Sequence, residues 1–262
     1  MSGSIPQSKI DGSSSSARLT GPMTSFVSLL LLSAAARENG AADVGLVAPY
    51  LAYMRQDARF HAGETVSAQH FASWLSREFD WLVTVDPHLH RITELSQVYT
   101  IPTRHVHAAP AVAAWLRAHA TRPVLVGPDE ESGQWVADVA QRTDAPLVVM
   151  CKVRKGDRDV EVSVPEVERW RNCTPVLIDD IVSTGLTMVE TIKHLRRAGM
   201  TAPLCIAIHA VFCGSAARDL ESAGAGRVVS CDTIVHPTNT ISVAPDLASA
   251  VSEILQSSTS TG

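Results

Sequence analysis

Short apolar runs alternate with helix-length stretches along most of this chain. Runs rich in Val, Ile, Leu and Ala at 44–48, 81–85, 123–126, 147–150, 176–178, 204–210 and 228–231 read as strands. Between them, 24–39, 67–79, 109–120, 131–143, 184–198, 215–223 and 245–255 carry helical spacing or helix boundary residues. The strand runs are continuously apolar rather than alternating, the pattern of a sheet covered on both faces. Alternation of such strands with helices makes the sheet parallel. The expected fold is therefore α/β: two lobes meeting near 100–108, each a mostly parallel sheet flanked by helices. Loops at the carboxyl ends of the strands are the places to look for a site. The expected divisions are a Ser/Gly-rich disordered segment at 1–22, a first lobe at 23–107, a second lobe at 108–236, and at 237–262 a turn and helix ending in a disordered tail.

Composition narrows the picture only slightly. A chain of 262 residues can fill one large core or two modest ones, and a net charge of −5 gives no electrostatic case for nucleic acid. Five cysteines, an odd count without a CxxC, read as reduced thiols and a cytoplasmic protein. The string FVSLLLLSAAA at 26–36 follows Lys9 and Arg18 and mimics a secretory signal core. Its continuation into a strand favours a buried amphipathic helix ended by Gly40. No stretch approaches the ~20 apolar residues of a membrane span, so no membrane partner is expected.

The most informative string is VLIDDIVSTGLTM at 176–188. Its apolar start delivers Asp179 and Asp180 to a strand end, and a turn of Ser, Thr and Gly then opens a helix. Backbone N–H groups and the hydroxyls of Ser183, Thr184 and Thr187 converge there at the positive end of a helix, which makes a phosphate seat. The carboxylates would repel phosphate; they suit two neighbouring sugar hydroxyls or a shared divalent cation. A sugar phosphate satisfies both halves. The plainer reading is a βα turn in which Asp and Ser/Thr act only as helix caps.

Four further strings sit at strand ends. PYLAYMRQD at 49–57 offers Arg55, Gln56 and Asp57: an arginine fork for phosphate oxygens or base stacking, and an amide for a base edge. TVDPHLHR at 84–91 ends a strand on Asp86 with His88 following, a hard-metal or metal–phosphate pattern with too few soft ligands for zinc, while His90 reads as satisfying local hydrogen bonds. GPDEESG at 127–133 places Asp129 where a metal or ribose ligand would stand, although capping by the adjacent glutamates is an equally simple role. CKVRKGDRDV at 151–160 alternates Lys152 and Arg154, so both project to one side of a mobile loop that could close over a polyphosphate, or simply form a solvated hairpin. A fifth string, VHPTNTIS at 235–242, marks a turn.

VLIDDIVSTGLTM resembles the phosphoribosyl-pyrophosphate (PRPP) loop of type I phosphoribosyltransferases and PRPP synthetases. With the other four strand-end strings in order, the chain resembles the ribose-phosphate pyrophosphokinases over roughly 24–255, and FHAGE at 60–64 is most similar to their archaeal-type branch. The resemblance implies two phosphoribosyltransferase-like lobes and transfer of diphosphate from MgATP to O1 of ribose 5-phosphate, giving PRPP and AMP for nucleotide biosynthesis. It implies Arg55, Gln56 and Asp57 at ATP, His88 and Asp129 on Mg²⁺, and Lys152 and Arg154 as catalytic cations. Asp179 and Asp180 would bind the ribose hydroxyls, and Ser183, Thr184, Gly185 and Thr187 the 5-phosphate. A homodimer or higher homo-oligomer goes with it. Ser183 departs from the acidic residue of many members. Family members also begin with strands carrying an aromatic–Asn/Asp–Gly–Glu-like turn, whereas here Asp11-Gly12 is followed by serines, so the first lobe reads as shortened. That departure leaves a catalytically silent family subunit as one alternative; a phosphoribosyltransferase, the other, would share only the last loop.

Overall fold

The computed structural model describes residues 23–127, 133–149, 151–154, 160–163 and 167–259. Helix α1 (Met23–Glu38) leads into strand β1 (Gly45–Ala48), and α2 (Ser67–Glu78) connects it to β2 (Trp81–Val85). After a 3-10 turn at Leu95–Gln97, β3 (Thr103–Val106) completes a parallel sheet in the order β1-β2-β3. Parallel neighbours need a crossover, and the α2 connection supplies the first. All five residues of β2 are buried, as its central place in the sheet requires.

Helix α3 (Ala109–His119) carries the chain to the second sheet. There follow β4 (Pro123–Gly127), α4 (Gly133–Thr143), β5 (Leu147–Val149) and an antiparallel pair, β6 (Cys151–Arg154) with β7 (Val160–Ser163). The short α5 (Val167–Trp170) precedes β8 (Thr174–Val182), α6 (Leu186–Arg197), β9 (Leu204–Ala210), α7 (Ala216–Ser222), β10 (Arg227–Cys231), β11 (Asn239–Ile241) and α8 (Ala244–Thr259). The second sheet has six strands, all parallel, in the order β11-β10-β9-β8-β4-β5. One apolar cluster threads both sheets. Val83, Val85 and Val106 of the first meet Ile178 and Ile206 of the second, with Leu247, Ala250 and Ile254 of α8 among them. Helix α8 packs directly on β2 and β3.

Several elements differ from the sequence reading in instructive ways. Strand β8 runs on through Asp179 and Asp180 to Val182, because its ladder with β9 continues past the point where pairing with β4 ends. The two carboxylates therefore belong to the strand itself, which local propensity disfavours and the neighbouring strand enforces. Strand β3 shows only Val106 buried, an edge-strand pattern without an apolar run. The signal-like run at 26–36 is helical, yet among its described side chains only Leu29 and Ser33 are buried, and Leu31 and Leu32 face outward. No helix among the described residues is long and apolar enough to cross a membrane. The segments 1–22 and 260–262 lie outside the described residues.

Candidate active site

The turn after β8 is built to leave its polar groups open. Gly185 adopts φ 69°, the left-handed region that glycine enters without penalty, and starts α6. No described side chain caps this helix, so its first N–H groups have no intrahelical acceptor and point, with the positive end of the helix, into the space beyond the strand. The capping alternative is thus not the one the turn adopts. The hydroxyls of Thr184 and Thr187 are exposed and have no hydrogen-bond partner among the described residues. Ser183 lies with Oγ 3.2 Å from Cys213 Sγ, and the Cys213 N–H donates to the Ser183 carbonyl at 3.0 Å, tying the turn to the segment after β9.

The carboxylates beside this turn meet a histidine from the other sheet. His88 Nδ1 donates to Asp180 Oδ2 at 2.8 Å, and the Ile181 N–H donates to Asp180 Oδ1 at 2.7 Å. Burial alone would raise the Asp180 carboxyl; the hydrogen bond and charge of His88 and the Ile181 N–H outweigh it and hold the group below the usual carboxylate range. His88 moves upward in turn because of the hydrogen bond to Asp180, against the pull of burial. Asp179 is partly buried on the same rim.

The segment after β2 that carries His88 is anchored on either side of it, at Asp86 and at Arg91. Asp86 is 7% exposed and sits at φ 31°; its N–H donates to Val106 O at 3.0 Å, Oδ2 accepts from Ala108 N at 2.8 Å, and Oδ1 accepts from His107 Nδ1 at 3.0 Å. The Asp86 hydrogen bond raises His107 above its ordinary pKa. Further along, the backbone N–H and Nη1 of Arg91 each donate to Asp57 at 3.0 Å, and the Arg91 guanidinium lies 5.6 Å from the Phe60 ring. Burial would raise Asp57, but the two Arg91 bonds and its charge leave the carboxyl lowered.

These parts enclose a cleft of about 510 Å³. Its wall brings together Arg55, His88, Asp179, Asp180 and the whole turn Ser183–Thr187. Arg55 is exposed there with no hydrogen-bond partner among the described residues. Gln56 and Asp57 do not line the cleft: Gln56 accepts a hydrogen bond from Ser67 Oγ and takes the Ala68 N–H on its carbonyl, while Asp57 serves Arg91. Asp129 lies outside the described residues; for Lys152 and Arg154 the structure describes the backbone, as strand β6. The string at 235–242 forms a turn in which Asn239 Nδ2 donates to Cys231 O and Ser230 Oγ.

His105, His107, Trp135 and Asp138 also line the cleft, though nothing in the local sequence singles them out. The only available signal was the close pair of histidines just before α3. Among the described residues no group of three His, Cys, Asp or Glu converges as a metal site. A hard cation such as Mg²⁺ is commonly held by one or two protein groups with substrate phosphates and water completing its shell, so His88 on the cleft wall fits an ion shared with a ligand and not a protein cage.

The chain matches the phosphoribosyl transferase domain over residues 95–249. It matches the N-terminal domain of ribose phosphate pyrophosphokinase over residues 16–78. The ribose-phosphate pyrophosphokinase of Methanopyrus kandleri is 36% identical over 222 residues, which cover 84% of this chain and 75% of the relative. That of Halobacterium salinarum is 34% identical over 226 residues, covering 86% and 78%. Among solved structures, the phosphoribosylpyrophosphate synthetase of Mycobacterium smegmatis has the same fold, with a TM-score of 0.77 over 92% of this chain and 81% of that one at 24% identity.

Proposed function

Since the chain belongs to the ribose-phosphate pyrophosphokinase family, we propose that it transfers the diphosphoryl group of ATP to O1 of ribose 5-phosphate, giving PRPP and AMP. The observation that carries this reading is the shared cleft: the open turn after β8 and the His88 and Arg55 segments of the first sheet face one space, joined by the 2.8 Å contact between His88 and Asp180. A phosphoribosyltransferase would need only the turn.

In the reaction O1 of the sugar attacks the β-phosphorus, an O–P bond forms, the bond from that phosphorus to the α,β-bridging oxygen breaks, and O1 loses its proton. Two polyanions must be aligned and their charge offset. On this reading the 5-phosphate occupies the N-terminus of α6, held by the backbone of Ser183, Thr184 and Gly185 and by the hydroxyls of Ser183, Thr184 and Thr187. Asp179 and Asp180 accept from the ribose hydroxyls. For Asp180 that means exchanging, or sharing, its contact with His88. Arg55 takes the triphosphate. Gln56 and Asp57, engaged as they are, act on ATP by shaping the loop that presents Arg55. Lys152 and Arg154 offset the charge that develops on the transferred group.

His88 and Asp129 would hold Mg²⁺, which when bound neutralises phosphate oxygens and orients the donor. A homo-oligomeric assembly and a cytoplasmic location accompany the family reading; light scattering on the purified chain tests the first. For the reaction itself, AMP and PRPP should form from ATP and ribose 5-phosphate at millimolar Mg²⁺. ATP cleavage that ribose 5-phosphate fails to stimulate, in a folded sample, would end the proposal.

A further inference from the structure

Two hydrogen bonds join the second sheet to the turn after β2, and they come from neighbouring strands. Asp180 on β8 holds His88 at 2.8 Å, and His209 on β9 has Nε2 at 3.2 Å from the carbonyl oxygen of Asp86. Ile181 and His209 face each other across the β8–β9 ladder, so Asp180 and His209 share one rigid frame. Their targets stand close together on the facing turn. A segment gripped at two such points cannot pivot.

His209 is 1% exposed, and the Tyr50 ring packs 5.0 Å from it. Asp86 needs external support because φ 31° is a conformation that a residue with a side chain keeps only where its surroundings over-determine it. The N–H and carboxylate of Asp86 are held from its own lobe by Val106, His107 and Ala108; its carbonyl is held by His209 from the other lobe. We propose that His209 is a positioning residue: it fixes the backbone of Asp86 from inside the second sheet and thereby aims His88 at the carboxylates of β8. The catalytic consequence rests on the diphosphokinase reading, whereas the contact itself does not.

A proton count makes the contact testable. The Thr233 hydroxyl has one proton and two neighbours, Ile208 O at 2.6 Å and His209 Nδ1 at 3.0 Å. All three contacts could be satisfied together only by a doubly protonated ring, and burial disfavours that form. A singly protonated ring that supports Asp86 must carry its proton on Nε2, which leaves the one Thr233 proton to be shared between Ile208 O and Nδ1.

Nitrogen NMR of the parent protein should therefore report a protonated Nε2 and a bare Nδ1 at His209. A bare Nε2 would overturn the proposal without any variant. His209→Leu removes the donor, and His209→Gln keeps an N–H close to the Nε2 position. Misplacing a group near the reacting atoms by about 1 Å can cost on the order of 10² in rate, so the Leu variant should lose about that in kcat. Its KM for ribose 5-phosphate should stay within roughly threefold, because the turn after β8 is untouched. The Gln variant should recover most of the loss. Parent-like kcat in the Leu variant, or a Gln variant no better than Leu, would overturn the positioning role. A parent that makes no AMP would fail the functional reading alone; the NMR result would still decide the contact.

Discussion

The turn after β8 and the turn after β2 each follow the carboxyl end of a strand in a parallel sheet and line the same cleft, yet they use their polar groups in opposite ways. After β2 the groups are tied inside the fold: Asp86 through its N–H, carboxylate and carbonyl, and Arg91 to Asp57. After β8, the threonine hydroxyls and the first N–H groups of α6 have no described partner. A buried polar group left unpaired is costly, whereas one facing an open cleft is solvated until a ligand arrives. The tied turn therefore aims a side chain, and the open turn receives an anion. Substitutions in the open turn should cost function alone, and those among the tied groups should cost stability as well.

The largest functional effect is expected outside both turns, at a cation proposed to offset the charge that develops on the transferred group. Lys152→Ala should cut turnover by ~10²–10³ while thermal unfolding stays close to the parent, since one preorganised cationic contact in the transition state is worth about that much. Equal turnover would make the β6–β7 pair a surface hairpin and nothing more. In the tied group, Asp57→Ala removes a carboxylate 2% exposed at its side chain and strands the Arg91 N–H. Chemical denaturation should show a loss of about 1 kcal/mol, the usual net worth of a part-buried hydrogen bond. An unchanged midpoint would mean that the clamp between the two loops carries no weight.

Two further shifts sharpen the contrast. Thr184→Val should leave stability within about 0.5 kcal/mol and raise the ribose 5-phosphate requirement roughly 10- to 100-fold, the worth of one hydrogen bond to a charged group. Calorimetry with an unchanged affinity would remove Thr184 from the phosphate seat. The smallest effect is electrostatic. The hydrogen bond that His107 donates to Asp86 lifts the His107 pKa, so its contribution is complete below the unfolded pKa and is lost as pH rises through the higher folded one. With the His107 side chain 61% exposed, the stability change is slight and best read by NMR. The titration midpoint should lie above the ~6.5 of a free histidine and fall in Asp86→Asn; no difference between the two proteins would release His107 from the tied group.

Most of the second sheet was legible because its strands are apolar runs, and the turn at 183–187 because its residues are chemically concentrated in one short string. The first sheet's edge was not: β3 buries only Val106, and nothing in TRHV distinguishes a half-exposed strand from a loop. Nor does periodicity reveal that Asp57 would be consumed by Arg91, or that Asp180 would meet His88. These contacts cross loops or lobes and exist only once both sheets are placed. His209 was hidden for a different reason. One polar residue within a seven-residue buried strand looks like a tolerated exception until its partners at Asp86 and Thr233 are seen.

Helix α8 adds a consequence in time as well as in space. It is the last described element of the chain, and Leu247, Ala250 and Ile254 share a core with Val83, Val85 and Val106 of the first lobe. A ribosome delivers the chain from its N-terminus, so β2 and β3 emerge long before the helix that covers them. The small sheet must wait with an apolar face open while the six-stranded sheet forms, and contacts so distant in sequence close slowly. During synthesis, then, the half of the cleft that carries His88 is the last to become rigid.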